Sequence, residues 1–198
     1  DVRIIGAPSD YGQDRRGVDM GPSAISTRDS QTSSKRRVPV VDAGDLQVPR
    51  AEERDPDYRT PSEGRAKFLR ETETVANRLA DEVATTLAEG QTPLALGGDH
   101  SIAIGSLRGA SRDADIGTIW FDAHGDFNTP TTSPSGNVHG MPLAAALGVG
   151  EFAGVDWANA PNLHEENVVI VGLRDVDEEE RDRLRDSAAT VFTMSDID

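Results

Sequence analysis

The feature that most constrains this chain is an apolar run that ends abruptly in metal-ligating side chains. The largely apolar stretch Ile116–Phe121 is followed at alternate positions by Asp122, His124 and Asp126. A run of this kind is typical of a strand buried within a parallel sheet. Open α/β sheets place their binding sites at the carboxyl ends of such strands. The stretch therefore predicts an α/β fold with a site directly after this strand.

Further apolar runs extend the pattern along the whole chain. They predict strands at Val2–Ala7, Val38–Val41, Pro93–Leu96, Ile116–Asp122, Val168–Gly172 and Thr190–Thr193. Helical spacing predicts helices from Pro22 onward and over Arg65–Glu89, Ile102–Leu107, Met141–Leu147 and Glu178–Arg185. This alternation predicts one doubly wound, mostly parallel sheet with helices on both faces, a three-layer α/β/α domain spanning residues 1–198.

Irregular segments separate these predicted elements. Residues 28–37 and 148–167 are predicted to be loops, and residues 47–63 a surface excursion without any period. His164 lies among Asn and Glu residues and is expected at the surface.

Composition excludes several classes of function. A net charge of −15 argues against nucleic acid or an anionic membrane as a partner. The absence of cysteine excludes disulfides, zinc fingers and cysteine nucleophiles. No run approaches the roughly 18 apolar residues of a membrane helix, and the first residues do not resemble a signal peptide, so a cytoplasmic location is expected. Abundant acids with only two lysines, Lys35 and Lys67, indicate a high-salt cytoplasm. Because the chain does not start with Met, further residues are expected to precede it.

Polar residues also follow two neighbouring strands. His100 comes after the paired glycines Gly97 and Gly98, which allow a close backbone approach, and Asp175 and Asp177 follow the fifth strand. Together with the first motif, His100 makes four ligands for a divalent cation such as Mn, Co, Ni or Zn. A bridging carboxylate would allow two cations about 3.5 Å apart, sharing a water that ionises near neutral pH. Two alternatives to a metal site remain. His100 would be a buried, hydrogen-bonded histidine of the core, and the motif after the fourth strand would be a loop whose carboxylates cap the next helix.

The segment from Asn128 to Gly140 is dense in small hydrogen-bonding groups. Asn128 and Ser135 are suited to binding the polar end of a substrate, and His139 to moving protons. The alternative is an ordinary polar turn with His139 exposed.

Four motifs in order carry a resemblance that covers the whole chain. Gly97–Ser101, Asp122–Asn128, Ser135–Gly140 and Gly172–Asp177 together resemble the ureohydrolases, and within them the arginase family. Ile5–Pro8 and Gly17–Pro22 also match the N-terminal signature of that family. The Ser135–His139 run and Gly172–Asp177 favour arginase over the agmatinases, which share the metal motifs.

The resemblance implies a manganese-dependent hydrolase that converts L-arginine to L-ornithine and urea through a hydroxide bridging two Mn²⁺ ions. It implies a homo-oligomer, a trimer or a hexamer. The implied metal ligands are His100, Asp122, His124 and Asp126. His139 resembles the proton-shuttling histidine. The residues that resemble substrate-binding groups are Asn128, Ser135, Asn137 and Asp177.

The end of the chain departs from the family pattern. The family carries a later Ser-x-Asp-x-Asp metal motif and a later Glu, whereas this chain ends in Met194–Asp198. That segment comes too soon after Asp177, and Ser195 directly precedes Asp196, so we interpret its acids as the cap of a next helix. The chain is therefore expected to lack the C-terminal third and two of six ligands. Agmatinase activity, or a non-catalytic metal-binding fragment, remains an alternative.

Overall fold

Strands and helices alternate along the chain in the computed structural model, which describes residues 1–14, 16–29, 38–48, 54–58 and 61–197. The strands are β1 (Val2–Ala7), β2 (Val40–Asp45), β3 (Thr92–Gly97), β4 (Ile116–Phe121), β5 (Leu163–Leu173) and β6 (Thr190–Thr193). The helices are α1 (Gly21–Asp29), α2 (Leu69–Ala88), α3 (Ala103–Ala110), α4 (Pro142–Leu147), α5 (Glu178–Asp186) and α6 (Met194–Ile197). None of the helices in these ranges is both long and apolar enough to cross a membrane.

All six strands pair in parallel, which confirms the predicted α/β class. They form two three-stranded sheets, ordered β2-β1-β3 and β4-β5-β6. The structure thus differs from the single sheet of the prediction, because β3 and β4 are not hydrogen-bonded to each other in the described part of the chain. Gly97 ends β3 beside Ala7, and Phe121 ends β4 beside Val171.

Strand β4 is buried on one face only, whereas its apolar sequence predicts a fully buried strand. Trp120 is 5% exposed, but Ile119 and Phe121 are 63% and 75% exposed. Successive side chains of a strand point to opposite faces of its sheet, so these two belong to a face that the described residues leave open. The strand ends at Phe121, one residue before its predicted end, which brings Asp122 to the edge of the sheet.

Strands β2 and β5 differ from the sequence prediction by more than one residue, whereas β3 differs by one residue at each end and β4 by one residue at its carboxyl end. Strand β5 begins at Leu163, inside the predicted loop, because Leu163 pairs with Ile116 across a register shift. Strand β2 begins at Val40 and runs to Asp45 because its polar residues pair with β1. His164 is exposed, as predicted. The two other predicted irregular segments lie partly outside the described residues. The undescribed parts are 30–37 of the predicted loop, and 49–53 and 59–60 of the predicted surface excursion.

Helix α2 begins four residues later than predicted. Phe68 adopts a left-handed conformation with φ of 52°, and its N–H donates to the carbonyl of Pro56. The backbone therefore cannot be helical before Leu69. The N–H groups of Arg65 and Lys67 are free of the helix and donate to the carbonyls of Pro130 and Gly136.

The helices pack their apolar stripes against the sheets. Leu79 and Val83 of α2 form one buried cluster with Ile5 and Ala7 of β1. A second cluster joins β4 and β5 to α4 and α5, and its buried members include Trp120, Phe127, Leu143, Ile170 and Leu184. The two clusters leave the carboxyl ends of the strands uncovered.

Helices α2 and α3 approach closely through small residues. A Cβ at Gly105 would lie 2.7 Å from the carbonyl oxygen of Ala76, and one at Gly109 would lie 2.9 Å from Cα of Ala80. Real Cβ atoms do not tolerate such contacts with backbone, so both positions require glycine.

We therefore expect Gly105→Ala to lower the free energy of unfolding by about 1–3 kcal/mol, because the added methyl group overpacks the contact. Alanine favours a helix by up to about 1 kcal/mol over glycine. The expected loss of stability is therefore the cost of overpacking minus this gain in helix propensity. Thr85→Ala, at an exposed position of α2, is the control and should change stability by less than about 0.5 kcal/mol. Urea unfolding of both variants checks the prediction, and equal stability of the two would contradict the packing argument.

Candidate active site

The carboxyl ends of β3, β4 and β5 meet around one cleft of about 310 Å³. Nine residues predicted from the sequence line it: His100, Asp122, His124, Asp126, Asn128, Ser135, Asn137, His139 and Asp177. Other lining residues include Asp175 and Glu180. The structure thus brings all nine predicted site residues to one place.

His100, Asp122 and Asp126 form the tightest group in the cleft. His100 Nδ1 lies 3.0 Å from Asp122 Oδ2 and 2.6 Å from Asp126 Oδ2. One nitrogen and two carboxylate oxygens of this group lie within 4.8 Å of one another, which is close enough to share a cation. Asp126 Oδ2 is buried, and its close polar neighbour is His100 Nδ1. A buried carboxylate oxygen of this kind fits a divalent cation with oxygen and imidazole ligands.

Two neighbours fix the imidazole of His100. Asp99 accepts hydrogen bonds of 2.9 Å from the N–H groups of Ser101 and Gly12, so it caps the turn that carries His100 and ties it to the N-terminal loop. The indole of Trp120 stacks on the imidazole, with ring centroids 4.5 Å apart and planes inclined by 27°. Asp99 is buried because Gly98 allows the backbone at Ser9 to approach closely, as the paired glycines predict.

Asp126 is held in the left-handed region with φ of 50°. Its carbonyl accepts hydrogen bonds from the N–H groups of Leu143 and Ala144, in the first turn of α4. This anchor explains the strained backbone, because the chain must turn sharply after β4 to reach the helix. The turn aims the carboxylate at His100.

Charges in this group shift one another's pKa. Burial lowers the pKa of His100, but its contacts with Asp126 and Asp122 outweigh burial, so the net shift is upward. Burial raises the pKa of Asp126, against the opposing effect of His100. His100 and Asp126 therefore hold a proton tightly. A cation that replaced this proton would keep the imidazole neutral and the carboxylate ionised, which are the forms that ligate metals.

His124 lies beside this group and not within it. Its Nδ1 is 3.1 Å from Asp122 Oδ1, and its Nε2 is 3.5 Å from Asp175 Oδ2. The side chain is 55% exposed. His100 and His124 thus contact the two oxygens of the same Asp122 carboxylate, so both face the cleft.

The opposite wall of the cleft is the loop from Asn128 to Gly140. Asn128 donates from Nδ2 to Asp177 Oδ2 at 2.8 Å and accepts from Thr132 Oγ1 at 2.8 Å. Ser135 Oγ accepts from the N–H of Asn137 at 3.1 Å. The His139 N–H donates to the carbonyl of Gly12. The predicted substrate-binding groups are therefore oriented by hydrogen bonds within the protein.

Glu180 is a buried acid of the cleft that was not predicted from the sequence. Its Oε1 accepts a 2.8 Å hydrogen bond from the N–H of Phe127, and it is 4% exposed. Burial raises its pKa to about 7, against the hydrogen bond from Phe127 and with help from Asp177 and Asp126. The sequence signal was weak, because Glu180 is the third of three consecutive glutamates in the first turn of α5.

Glu180 should make the stability of the protein depend on pH. Because its pKa is about 7 in the folded chain and near 4.5 when unfolded, the folded state binds more protons between these values. The free energy of unfolding should therefore fall as the pH rises from about 4.5 to 7, by at most about 3 kcal/mol. Glu180→Gln keeps an acceptor for Phe127 and should remove this fall. Metal-free unfolding across this pH range tests it, and the exposed Glu179→Gln should behave like the unmodified chain.

The last described helix supports the interpretation of the chain end. Asp196 Oδ2 accepts hydrogen bonds from the N–H and Oγ1 of Thr193, at 2.7 and 2.6 Å. These bonds lower the pKa of Asp196. The prediction that this acid caps a helix is confirmed for Asp196, whereas Asp198 lies outside the described residues.

The fold and the cleft define an α/β protein with a His–Asp group, close enough to share a cation, at the carboxyl ends of parallel strands. Residues 1–198 match the Arginase family. The chain is 44% identical to arginase of Bacillus subtilis over 200 residues, which cover 100% of this chain and 65% of that protein. The crystal structure of arginase from Bacillus cereus is 43% identical and superposes with a TM-score of 0.81, covering 99% and 64% of the two chains. Arginase of Entamoeba histolytica in complex with L-ornithine gives a TM-score of 0.82 at 32% identity, covering 99% and 65%.

The chain therefore belongs to the arginase family. It spans about 65% of the length of the curated relatives that it matches.

Proposed function

We propose that this protein takes part in the manganese-dependent hydrolysis of L-arginine to L-ornithine and urea. The observation that carries the proposal is the convergence of nine predicted residues on one cleft, with the His–Asp group on one wall and oriented polar groups on the other. Similarity to arginases from several bacteria supports the choice of substrate.

His100, Asp122 and Asp126 would hold a cation, with His124 as the further ligand nearest to them. The Mn²⁺ pair supplies, when bound, the Lewis acidity that makes water nucleophilic at neutral pH. Asp122 contacts both histidines, so its carboxylate would be available to a cation held by either of them. The remaining residues bind and orient the substrate.

The charges of the cleft suit a substrate with two cationic ends and one anionic group. Five acids line it: Asp122, Asp126, Asp175, Asp177 and Glu180. We place the guanidinium at the His–Asp wall, and the α-amino group at Asp177. The α-carboxylate would accept hydrogen bonds from the loop that contains Asn128, Ser135 and Asn137. The Entamoeba histolytica relative, crystallised with L-ornithine, supports an amino-acid site.

His139 completes the reaction in this proposal. Its half-buried imidazole lines the cleft but stands outside the cation-binding group. The leaving amine of ornithine must gain a proton as the C–N bond breaks. A histidine exchanges protons near neutral pH and is therefore suited to deliver this proton.

Urea release from L-arginine and from agmatine, measured on the complete chain with Mn²⁺ present, tests the proposal. Agmatine keeps the guanidinium but has no α-carboxylate, so we expect L-arginine to be preferred. A preference for agmatine would favour the second candidate, an agmatinase. Urea from neither substrate, with Mn²⁺ bound, would indicate a non-catalytic metal-binding module.

We further propose that the 198-residue chain binds Mn²⁺ weakly and turns over slowly, if at all. Within the described residues only one histidine and two aspartates lie within mutual ligating distance. Calorimetry with Mn²⁺ on this chain measures the consequence. Tight binding of two ions would show that the four residues suffice and would contradict the proposal.

Location and assembly are also proposals. A net charge of −15 with only two lysines among 20 basic residues supports a high-salt cytoplasm. The free energy of unfolding should then rise as the KCl concentration increases.

We propose that the protein is a homo-oligomer, a trimer or a hexamer. Sedimentation in molar KCl measures the number of subunits.

A further inference from the structure

Three residues from distant parts of the chain form a closed ring of hydrogen bonds behind the cleft. Lys67 Nζ donates to Asp14 Oδ1 at 2.8 Å and to Asn137 Oδ1 at 3.0 Å. Asn137 Nδ2 donates to Asp14 Oδ2 at 3.2 Å and closes the ring. Lys67 and Asn137 are largely buried, at 15% and 8% exposure.

The ring determines which way the amide of Asn137 points. Its oxygen faces Lys67 and one of its N–H groups faces Asp14, so a flipped amide would set a donor against the ammonium group. One N–H of the amide is left for the cleft that Asn137 lines. The backbone of Lys67 contributes as well, because its N–H donates to the carbonyl of Gly136 at 2.8 Å. Lys67 therefore holds the loop at two successive residues.

Lys67 also brings positive charge to an acidic cleft. Asp175 and Asp177 line the cleft outside the His–Asp group, and an α-carboxylate entering it meets their repulsion. The ammonium group lies one hydrogen bond behind Asn137, and its side chain is 15% exposed, whereas that of its ion-pair partner Asp14 is 66% exposed. Solvent therefore screens the negative charge of Asp14 more than the positive charge of Lys67. It therefore favours an anionic group on the Asn137 side.

We propose that Lys67 is a positioning residue that, together with Asp14, sets the amide of Asn137 to receive the carboxylate of an amino-acid substrate. Lys67 thereby favours amino acids over the corresponding decarboxylated amines. This inference rests on the proposed function, since it assigns selectivity within the same cleft. A lysine suits the position because its ammonium is a compact donor that reaches two acceptors, whereas a planar guanidinium requires a different geometry.

The test compares the binding of L-arginine and agmatine to the Mn²⁺-loaded full chain by calorimetry. Lys67→Met removes the ammonium group but keeps the aliphatic length, and should weaken L-arginine binding about tenfold. Binding of agmatine should change less than about twofold, because agmatine has no carboxylate. Lys67→Arg keeps the charge but not the geometry, and should give an intermediate loss. Arg112→Met, which breaks an exposed ion pair with Asp81 of α2, is the control and should change neither affinity.

A measurement without ligand tests the ring itself. Lys67 and Asn137 lower the pKa of Asp14, so Lys67→Met should raise that pKa in an NMR titration, whereas Arg112→Met should not. An unchanged pKa of Asp14 would show that Lys67 does not form this ring of hydrogen bonds in solution.

The outcomes separate this inference from the proposed function. If the unmodified chain binds L-arginine and Lys67→Met binds both ligands as before, or loses both equally, the inference is wrong and the proposed substrate stands. If the unmodified chain prefers agmatine or binds neither ligand, the proposed substrate is wrong and the inference falls with it.

Discussion

Replacing Asp126 by asparagine is expected to weaken Mn²⁺ binding by roughly 100-fold, or about 2.7 kcal/mol. The substitution removes one negative charge from a group of one histidine and two aspartates, and Asp126 is its most buried member. Asparagine tolerates the left-handed backbone with φ of 50°, so the loss is attributable to the ligand and not to refolding of the turn.

Tryptophan fluorescence measures this loss directly. The chain has two tryptophans, and Trp157→Phe leaves Trp120, which stacks on His100, as the only one. A cation bound to His100 should alter the emission of its stacked neighbour. Glu179→Gln is the control, because it removes the same charge at an exposed position of α5 that does not line the cleft. Equal loss in the two variants would show that overall charge, and not ligation, governs binding.

Replacing His124 and His139 separately by alanine should divide metal binding from catalysis. His124 contacts Asp122 at 3.1 Å, so its loss should weaken Mn²⁺ binding by about tenfold or more. His139 stands outside the His–Asp group, so its loss should leave Mn²⁺ in place and slow turnover by roughly 100-fold or more, as is usual for a lost general acid.

Metal content and urea release, measured on the same samples of the complete chain, decide between these roles. In His139→Ala the metal content should equal that of the unmodified chain, and added imidazole should restore part of the rate. His164→Ala, an exposed histidine on β5, should change neither quantity. Equal loss of metal from His124→Ala and His139→Ala would show that the division of roles is wrong.

The sequence predicts that the site residues line one cleft, whereas it does not predict how the strands pair. His100, Asp122 and Asp177 each come shortly after a strand, and the chain cannot fold a parallel strand without placing the residues after it at the carboxyl edge. His100, Asp122 and Asp177 therefore converge whatever the order of the strands. The order of the strands depends on which strands, far apart in the sequence, form hydrogen bonds with each other. The hydrophobic periodicity of β3 and β4 contains no information about that pairing.

Contacts between distant loops were the part that sequence could not predict. Lys67 resembles the start of a helix in the sequence, and only the left-handed Phe68 frees it to contact Asp14 and Asn137. Glu180 resembles an exposed acid at a helix start until the N–H of Phe127 is found against it. Both roles arise from tertiary packing that overrides local preference.

The turn at Asp126 restricts which sequences can occupy this position. Glutamate offers the same carboxylate to a cation, but its longer side chain lacks the local hydrogen bonding that makes a left-handed residue tolerable. Glycine accepts the turn but brings no carboxylate. In a saturation library selected for metal uptake, aspartate should be the sole survivor at 126, whereas a library selected for folding should also recover asparagine and glycine.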